Sequence, residues 1–415
     1  MSKHEIEEAR RCLQCKNPLC KKHCPVQTPV NEVINAFLDG QIIEAGRQLF
    51  LNNPLSAVCA LVCPVESLCE GNCILGKKQS PVQISLIEGY ISDYYLSSMN
   101  LLPPATNNHK IAIIGSGPAG ITIAFIMASK GFQITIFEAN DKIGGVMRYG
   151  IADFRLPKDL LEKFKAKLLE MGVKIRPNTL IGPALTLEEL FRDGYRAIFI
   201  GTGVWNPKKL GIKGESLGHV HYAIDYLRNP DVYDLGKKIC VIGAGNVAID
   251  VARTILRKGG KEVSILYHRG PETMSAQESE LEYAKIDGVK FEYWKKPLEI
   301  TDEGVKYITT REVVGSQGFR ELEDIPGTED IFPVDSIIVA VSQGPRSNIV
   351  STAKGITLNR GGLVITDEAG RTSLEGIFAS GDVVTGAKTV VEAVSFSKKT
   401  AQAMEEYVLH KYGGG

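Results

Sequence analysis

A strand, a glycine-rich turn and a helix recur twice in this chain, and that repeat leaves few folds open. Residues 110–138 read as KIAIIG, SGPAGITIAFIMASKG and FQITIFE, a strand running through a turn into a helix and on to a second strand. Residues 237–269 repeat the arrangement about 125 positions later as KKICVIG, AGNVAIDVARTILRKGG and KEVSILYHR. Strands that alternate with helices build a parallel sheet covered on both faces. The spacing therefore predicts an α/β chain with two doubly wound domains. Two such units with different downstream neighbours predict two dinucleotides.

The glycines divide the work of the turn. Gly115, Gly117 and Gly120 of GSGPAG serve, in order, the tight bend, the close approach of backbone to a pyrophosphate, and helix packing. The helix N-terminus adds N–H groups and a partial positive charge for phosphate. Glu138, eighteen residues past Gly120, ends the next strand, where a carboxylate can accept bonds from an adenosine ribose. In the second copy the residues are Gly243, Gly245 and Ala248, the alanine being small enough for the packing position. Its acid is missing. Tyr267, His268 and Arg269 stand at the strand end instead, which suits a 2′-phosphate and predicts NADPH, with NADH possible. Near the C-terminus, GIFASGD ends at Asp382 and precedes Thr389, Val390 and Val391 at the start of a long amphipathic helix. An aspartate at a strand end can bind a ribityl hydroxyl, and a helix N-terminus stabilises negative charge on a reduced flavin. That arrangement requires FAD on the first unit.

Eight of the nine cysteines precede residue 74. Cys12, Cys15, Cys20 and Cys24 follow C-x2-C-x4-C-x3-C-P; Cys59, Cys63, Cys69 and Cys73 follow C-x3-C-P-x4-C-x3-C. In a reducing compartment such density means metal or redox centres more often than disulfides. Closely spaced thiolates with Cys-Pro steps fit iron–sulfur ligation, in which the last cysteine of a run often serves the other cluster. Structural zinc, the rival, prefers paired C-x2-C knuckles or histidine, and His23 has no useful partner spacing.

Composition narrows the remaining classes. With 48 Lys+Arg against 48 Asp+Glu there is no general basic surface for nucleic acid, although Lys16, Lys21, Lys22 and His23 form a local cluster. No apolar run reaches membrane-span length, and the charged start MSKHEIEEARR has no secretory signal character, so a cytoplasmic protein is expected. The segment MNLLPPATNNHK reads as a linker and sets a domain boundary near residue 107. No G-x-S-x-G, H-E-x-x-H or Walker lysine motif is present, and no side chain is assigned as a catalytic acid or base.

Over about residues 1–410 the sequence resembles the small-chain family of bacterial glutamate synthase, which shares its architecture with the NAD(P)-binding part of dihydropyrimidine dehydrogenase. The resemblance rests on both cysteine runs, PVQISLIEG, GSGPAG, GGVMRYGIADFRLPK, GAGNVAIDVARTILR and GIFASGDVVTGAKTVVEAV, in that order. One departure is Ala152, where the family usually has proline. The first cysteine at residue 12, without a longer leader, looks more like the separate NAD(P)-binding subunit of pyrimidine-reducing enzymes. What the resemblance implies is an electron-input subunit: a helical domain at 1–107 with two 4Fe–4S clusters, an FAD domain at 108–204 and 341–412, and an inserted NAD(P)H domain at 205–340. NAD(P)H would reduce FAD, and electrons would pass through the clusters to a larger catalytic subunit. The alternatives are the pyrimidine-reducing subunit and a stand-alone ferredoxin or sulfide oxidoreductase. The resemblance also adds Pro118, Ala119, Gly145, Arg148, Asn246, Val247, Gly381 and Val390 to the cofactor-binding residues. It assigns Cys12, Cys15, Cys20 and Cys73 to one cluster. Cys24, Cys63 and Cys69 serve the other, completed by Glu88, with Cys59 left as a small buried neighbour.

Overall fold

Strands β1 (Lys110–Ile114) and β2 (Gln133–Phe137) are each buried over four of five residues. Such continuous apolar runs suit a parallel sheet covered on both faces. In the computed structural model, which describes residues 3–100, 102–182, 185–260, 262–314, 320–346 and 355–413, β1 pairs in parallel with β2 and with β4 (Tyr195–Ile200). β2 continues to β3 (Lys174–Arg176), and the strand Ile377–Ala379 joins β4. The order Ile377–Ala379, β4, β1, β2, β3 reverses direction between β1 and β4, the crevice where doubly wound sheets bind ligands. The fingerprint helix Pro118–Ser129 is buried along most of its length because the C-terminal helix Val390–Tyr412 packs over it.

The chain divides into two compact units: Met1–Arg148 with Asp153–Val204 and Gly344–Gly415, and Tyr149–Ala152 with Trp205–Gln343. The first unit includes the cysteine-rich module. Its helices Lys3–Arg10, Val30–Leu38, Ile42–Asn52 and Ile84–Ser98 bury Ala9, Val33, Ile34, Phe37, Leu49, Ile87 and Ile91 in one core. Cys12, Cys20, Cys69 and Cys73 pack at its edge. Residues 102–109 form neither helix nor strand before β1.

The second unit carries its own parallel sheet, in the order Val220–Tyr222, Ser336–Val339, Lys238–Ile242, Glu262–Leu266, Lys290–Glu292. Beside it is an antiparallel sheet of Lys295–Thr301, Gly304–Val314, Arg320–Asp324 and Asp330–Pro333, an element the sequence reading does not anticipate. Among the described residues no helix is long and apolar enough to cross a membrane.

Candidate functional site

The first glycine turn is enforced by sterics. Gly115 has φ +94°, and a Cβ there would lie 2.6 Å from the carbonyl oxygen of Gly201. A Cβ on Gly120 would stand 2.0 Å from the Gly115 oxygen, so the helix can meet the strand only through glycine. Gly117 is the N-cap and Pro118 the first residue of the helix. Proline suits that position because its missing N–H has no intrahelical partner to lose. Gly145 crosses against Gly117, where a Cβ would come within 2.7 Å of the Gly117 Cα. The turn is thus a bare backbone cradle, the shape a pyrophosphate needs.

Glu138 is buried at the end of β2. Its Oε2 accepts from Ser116 N at 3.0 Å and from the Ser116 hydroxyl; its Oε1 accepts from Asn140 N at 2.8 Å and Asn140 Nδ2 at 2.7 Å. Gly381, with φ +75°, packs against Ala119, its ideal Cβ falling 3.0 Å from the Ala119 Cβ. This brings GIFASGD to the first fingerprint. Between that strand and the long helix the structure inserts a short helical turn, Asp382–Thr385. Burial pushes the Asp382 carboxyl up to about 6, against a hydrogen bond donated by Lys388 N at 3.2 Å. Thr389 caps the helix Val390–Tyr412 in a reciprocal box with Glu392. Arg148 is engaged within the unit, its Nε donating to Ile143 O at 2.7 Å and its guanidinium pairing with Glu162 at 2.6 Å.

In the second unit Gly243 has φ +148°, and a Cβ would lie 2.4 Å from Ala340 O. Gly245 caps the helix Asn246–Arg257, and Ala248 is fully buried beneath it. The Asn246 side chain accepts from Gln277 N at 2.9 Å, and Val247 packs on the core. What these two residues leave for a ligand is their backbone N–H at a helix start. His268 and Arg269 follow the strand Glu262–Leu266. His268 is exposed, yet partial desolvation of its ring and the nearby charges of Arg269 and Lys296 hold it below the ordinary imidazole range.

The cysteines fall into two sets. Cys12, Cys15, Cys20 and Cys73 line one cleft, joined by Asn31 and the apolar residues Leu13, Pro18, Leu19, Ile74 and Leu75. Burial first, then the neighbouring thiols, push Cys20 up to about 11 and Cys12 upward as well. In the second set Cys69 is raised by burial and by the charges of Glu88, Glu70 and Cys24. Cys63 is raised by a hydrogen bond with Cys59, by burial, and by Glu88 and Cys69. Glu88 itself is pushed up to about 7 by burial and by Glu70. Cys59 is buried beside Cys63 and accepts from Asn53 Nδ2 at 3.2 Å. Among the described residues no three His, Cys, Asp or Glu side chains form a group that could hold a single metal ion, although four thiols border one cleft. Crowded thiols with raised pKa values ionise only against added positive charge, which iron supplies. The donor chemistry fits a cluster. Gln14, between Cys12 and Cys15, adds a buried side-chain amide with no hydrogen-bond partner and a backbone φ of +49°. Sequence reasoning passed over it because glutamine in a loop carries no signal; burial is what singles it out.

Residues 109–396 match the family described as pyridine nucleotide-disulphide oxidoreductase, and residues 1–100 match dihydropyrimidine dehydrogenase domain II, 4Fe–4S cluster. The glutamate synthase [NADPH] small chain of Halomonas elongata is 33% identical, over 97% of this chain and 90% of that one. The chain belongs to the glutamate synthase small-chain family of pyridine nucleotide-disulphide oxidoreductases. It is an NAD(P)H-dependent flavin oxidoreductase with an N-terminal iron–sulfur domain. Another relative, the NADP(+)-dependent formate dehydrogenase subunit beta of Moorella thermoacetica, is 32% identical over 94% of this chain and 60% of its own length. Among solved structures, Mycobacterium tuberculosis FprA in complex with NADPH shares the fold, with TM-score 0.62 and 19% identity over 74% of this chain and 86% of that chain.

Proposed function

We propose that this chain is the NADPH-oxidising input subunit of a larger redox enzyme, sending electrons through FAD and two 4Fe–4S clusters to a partner chain. The observation that supports the reading is the cleft that brings Cys73 beside Cys12, Cys15 and Cys20, apart from the group of Cys24, Cys59, Cys63, Cys69 and Glu88, whose members influence one another. The proposed domains are 1–107 for the clusters, 108–204 with 341–412 for FAD, and 205–340 for NADPH.

The backbone from Gly115 through Gly120, with Pro118, Ala119 and Gly145, cradles the pyrophosphate of FAD. Glu138 holds the adenosine ribose, while Gly381 and Asp382 meet the ribityl chain. Thr389 and Val390 set a helix N-terminus toward the flavin ring, and Arg148 steadies the loop below it. When bound, FAD couples two-electron hydride chemistry to one-electron transfer. Gly243, Gly245, Asn246 and Val247 receive the coenzyme pyrophosphate, and His268 and Arg269 read the 2′-phosphate. No proton transfer by a side chain is needed for the hydride step.

Anaerobically purified protein should hold about eight irons, as two four-iron clusters require, and one FAD, and should bleach on NADPH addition. A colourless protein that does not oxidise NADPH would end the reading. Cys59→Ser should keep full iron, while Glu88→Ala should lose or shift one cluster's low-temperature EPR signal; the reverse result would make Cys59 the ligand. Arg269→Ala should weaken NADPH and leave NADH nearly unchanged, because an Arg–phosphate pair is charge-assisted. The match of residues 1–100 to the dihydropyrimidine dehydrogenase domain favours a second reading, the input subunit of a pyrimidine reductase. Pull-down from the native host separates the two by the partner recovered, a large amidotransferase or a smaller FMN-containing chain.

A further inference from the structure

We propose that the face around Cys12, Cys15 and Cys73 docks an acidic one-electron carrier protein, so that electrons leave the chain there. The proposal rests on the reading of that cysteine set as a cluster site, and it adds the chemistry of the partner. Whole-chain charge is balanced, 48 cations against 48 anions, but it is unevenly placed. Residues 9–31 contain Arg10, Arg11, Lys16, Lys21 and Lys22 and no acid; residues 71–87 contain Lys77 and Lys78 and no acid. These two segments carry all four cysteines of the set.

Part of this charge is neutralised locally. Arg11 bonds Glu8 at 2.6 Å and Ser80 O at 2.5 Å, and Lys21 faces Glu32 at 3.8 Å. Lys16, Lys22, Lys77 and Lys78 are exposed, and among the described residues none of them takes part in an ion pair. The same two segments also expose apolar side chains. Leu13 is 58% exposed and Ile74 40%, and both line the cleft that holds the thiols. A single exposed leucine needs no explanation. An exposed leucine and an exposed isoleucine, each next in sequence to a cleft cysteine and on segments that also expose Lys16, Lys22, Lys77 and Lys78, match the composition of an interface with an apolar centre and a charged rim.

Such a rim attracts a negatively charged partner over long range and repels a basic one, and the effect falls with ionic strength. The electron balance is one NADPH to two carriers: NADPH plus two oxidised carriers gives NADP+, a proton and two reduced carriers.

The test uses the full-length, cofactor-loaded protein with NADPH and an acidic adrenodoxin-type 2Fe–2S ferredoxin as the probe; basic cytochrome c serves as the control. The variant is Lys16→Glu/Lys77→Glu/Lys78→Glu. Ferredoxin reduction should slow by about tenfold at low salt and converge with the unaltered protein at high salt, the range that electrostatic steering spans. Reduction of cytochrome c should rise. Iron content and bleaching of the flavin by NADPH should not change, because no altered residue touches either cofactor site. Equal ferredoxin rates for both proteins would overturn the proposal. So would an unaltered protein whose clusters are reduced by NADPH yet pass nothing to ferredoxin, and in that case the input-subunit reading still stands. Salt-dependent adsorption to phosphatidylserine vesicles without ferredoxin reduction would assign the patch to a membrane surface and overturn the proposal equally. Protein that purifies without iron would defeat both readings.

Discussion

Glu138 is fixed by four donors, two from Ser116 and two from Asn140, before any ligand is bound. Those donors fill about all four acceptor positions of the carboxylate, so a ribose hydroxyl must share an oxygen with one of them or displace it. Glu138→Gln would place an amide NH2 against N–H donors, at a cost of about 1–3 kcal/mol for buried groups left unpaired. FAD affinity should fall by about ten- to a hundredfold, since each 1.4 kcal/mol is about a factor of ten. The flavin-to-protein ratio after gel filtration checks this, and a full flavin complement with lowered thermal stability would make Glu138 purely structural. Asp382 gives a pH dependence. Burial raises its folded-state value to about 6, above the ordinary aspartate value near 4, so folding favours the protonated form. That contribution is fully present below about pH 4 and is lost as pH rises to about 6. In flavin-free protein, unfolding free energy should drop by up to about 2–3 kcal/mol across that window, and Asp382→Asn should flatten the profile. The positions of both acids just past a strand were legible in the sequence, while their ribose and ribityl contacts belong to the proposed reading. Gln14 was not legible, since only the folded chain shows its amide buried and unpartnered.

The helix Val390–Tyr412 joins two roles in one element. Its N-terminus lies next to the Asp382 turn, while further along Ser395 Oγ donates to Pro25 O at 2.7 Å and Lys398 Nζ to Asn52 Oδ1 at 2.7 Å. A cavity of about 200 Å³ lies between, bordered by Pro25, Gly381, Lys388 and Glu392. The helix that the proposed reading sets at the flavin is therefore tied to the loop following Cys24. Thr389→Ala removes the cap and should lower stability by about 1 kcal/mol, with Thr389→Ser restoring most of it. Thermal melts of the three proteins decide it, and identical midpoints would show that the box with Glu392 adds nothing. This helix was readable from its apolar spacing, and β1, β2 and both fingerprint helices from the repeated order of apolar run, glycine turn and helix. The antiparallel sheet from Lys295 to Pro333 was not. Its strand Lys295–Thr301 mixes lysines, a proline and a glutamate with an irregular burial pattern. Strand formation of that kind depends on cross-strand neighbours that local sequence does not display.

At the scale of the whole molecule, thiol chemistry is concentrated before residue 74, apart from the buried Cys240, while both dinucleotide fingerprints lie beyond residue 109. Chain order alone could not sort the cysteines, because Cys73, the last of the eight, lines a cleft with Cys12, Cys15 and Cys20. Helix packing makes that sorting, by bringing the end of the second run back to the first. The separation along the chain predicts that the two halves of the reaction can be uncoupled. In a Cys12→Ala/Cys15→Ala variant, two of the four thiols bordering the exposed cleft are gone, but no residue of either glycine turn is altered. Flavin bleaching by NADPH under anaerobic conditions should then stay within about twofold, since residue changes that share no partners act nearly independently. Transfer to a protein carrier should be abolished, and iron content should fall by about half, as loss of one of two four-iron clusters requires. Stopped-flow absorbance near the flavin band, with iron measured on the same sample, separates the outcomes. Loss of flavin bleaching together with iron would mean that the cysteine module is needed to hold the flavin fold, through the ties from Pro25 and Asn52 to the C-terminal helix. Undiminished carrier reduction would mean that electrons leave by another route.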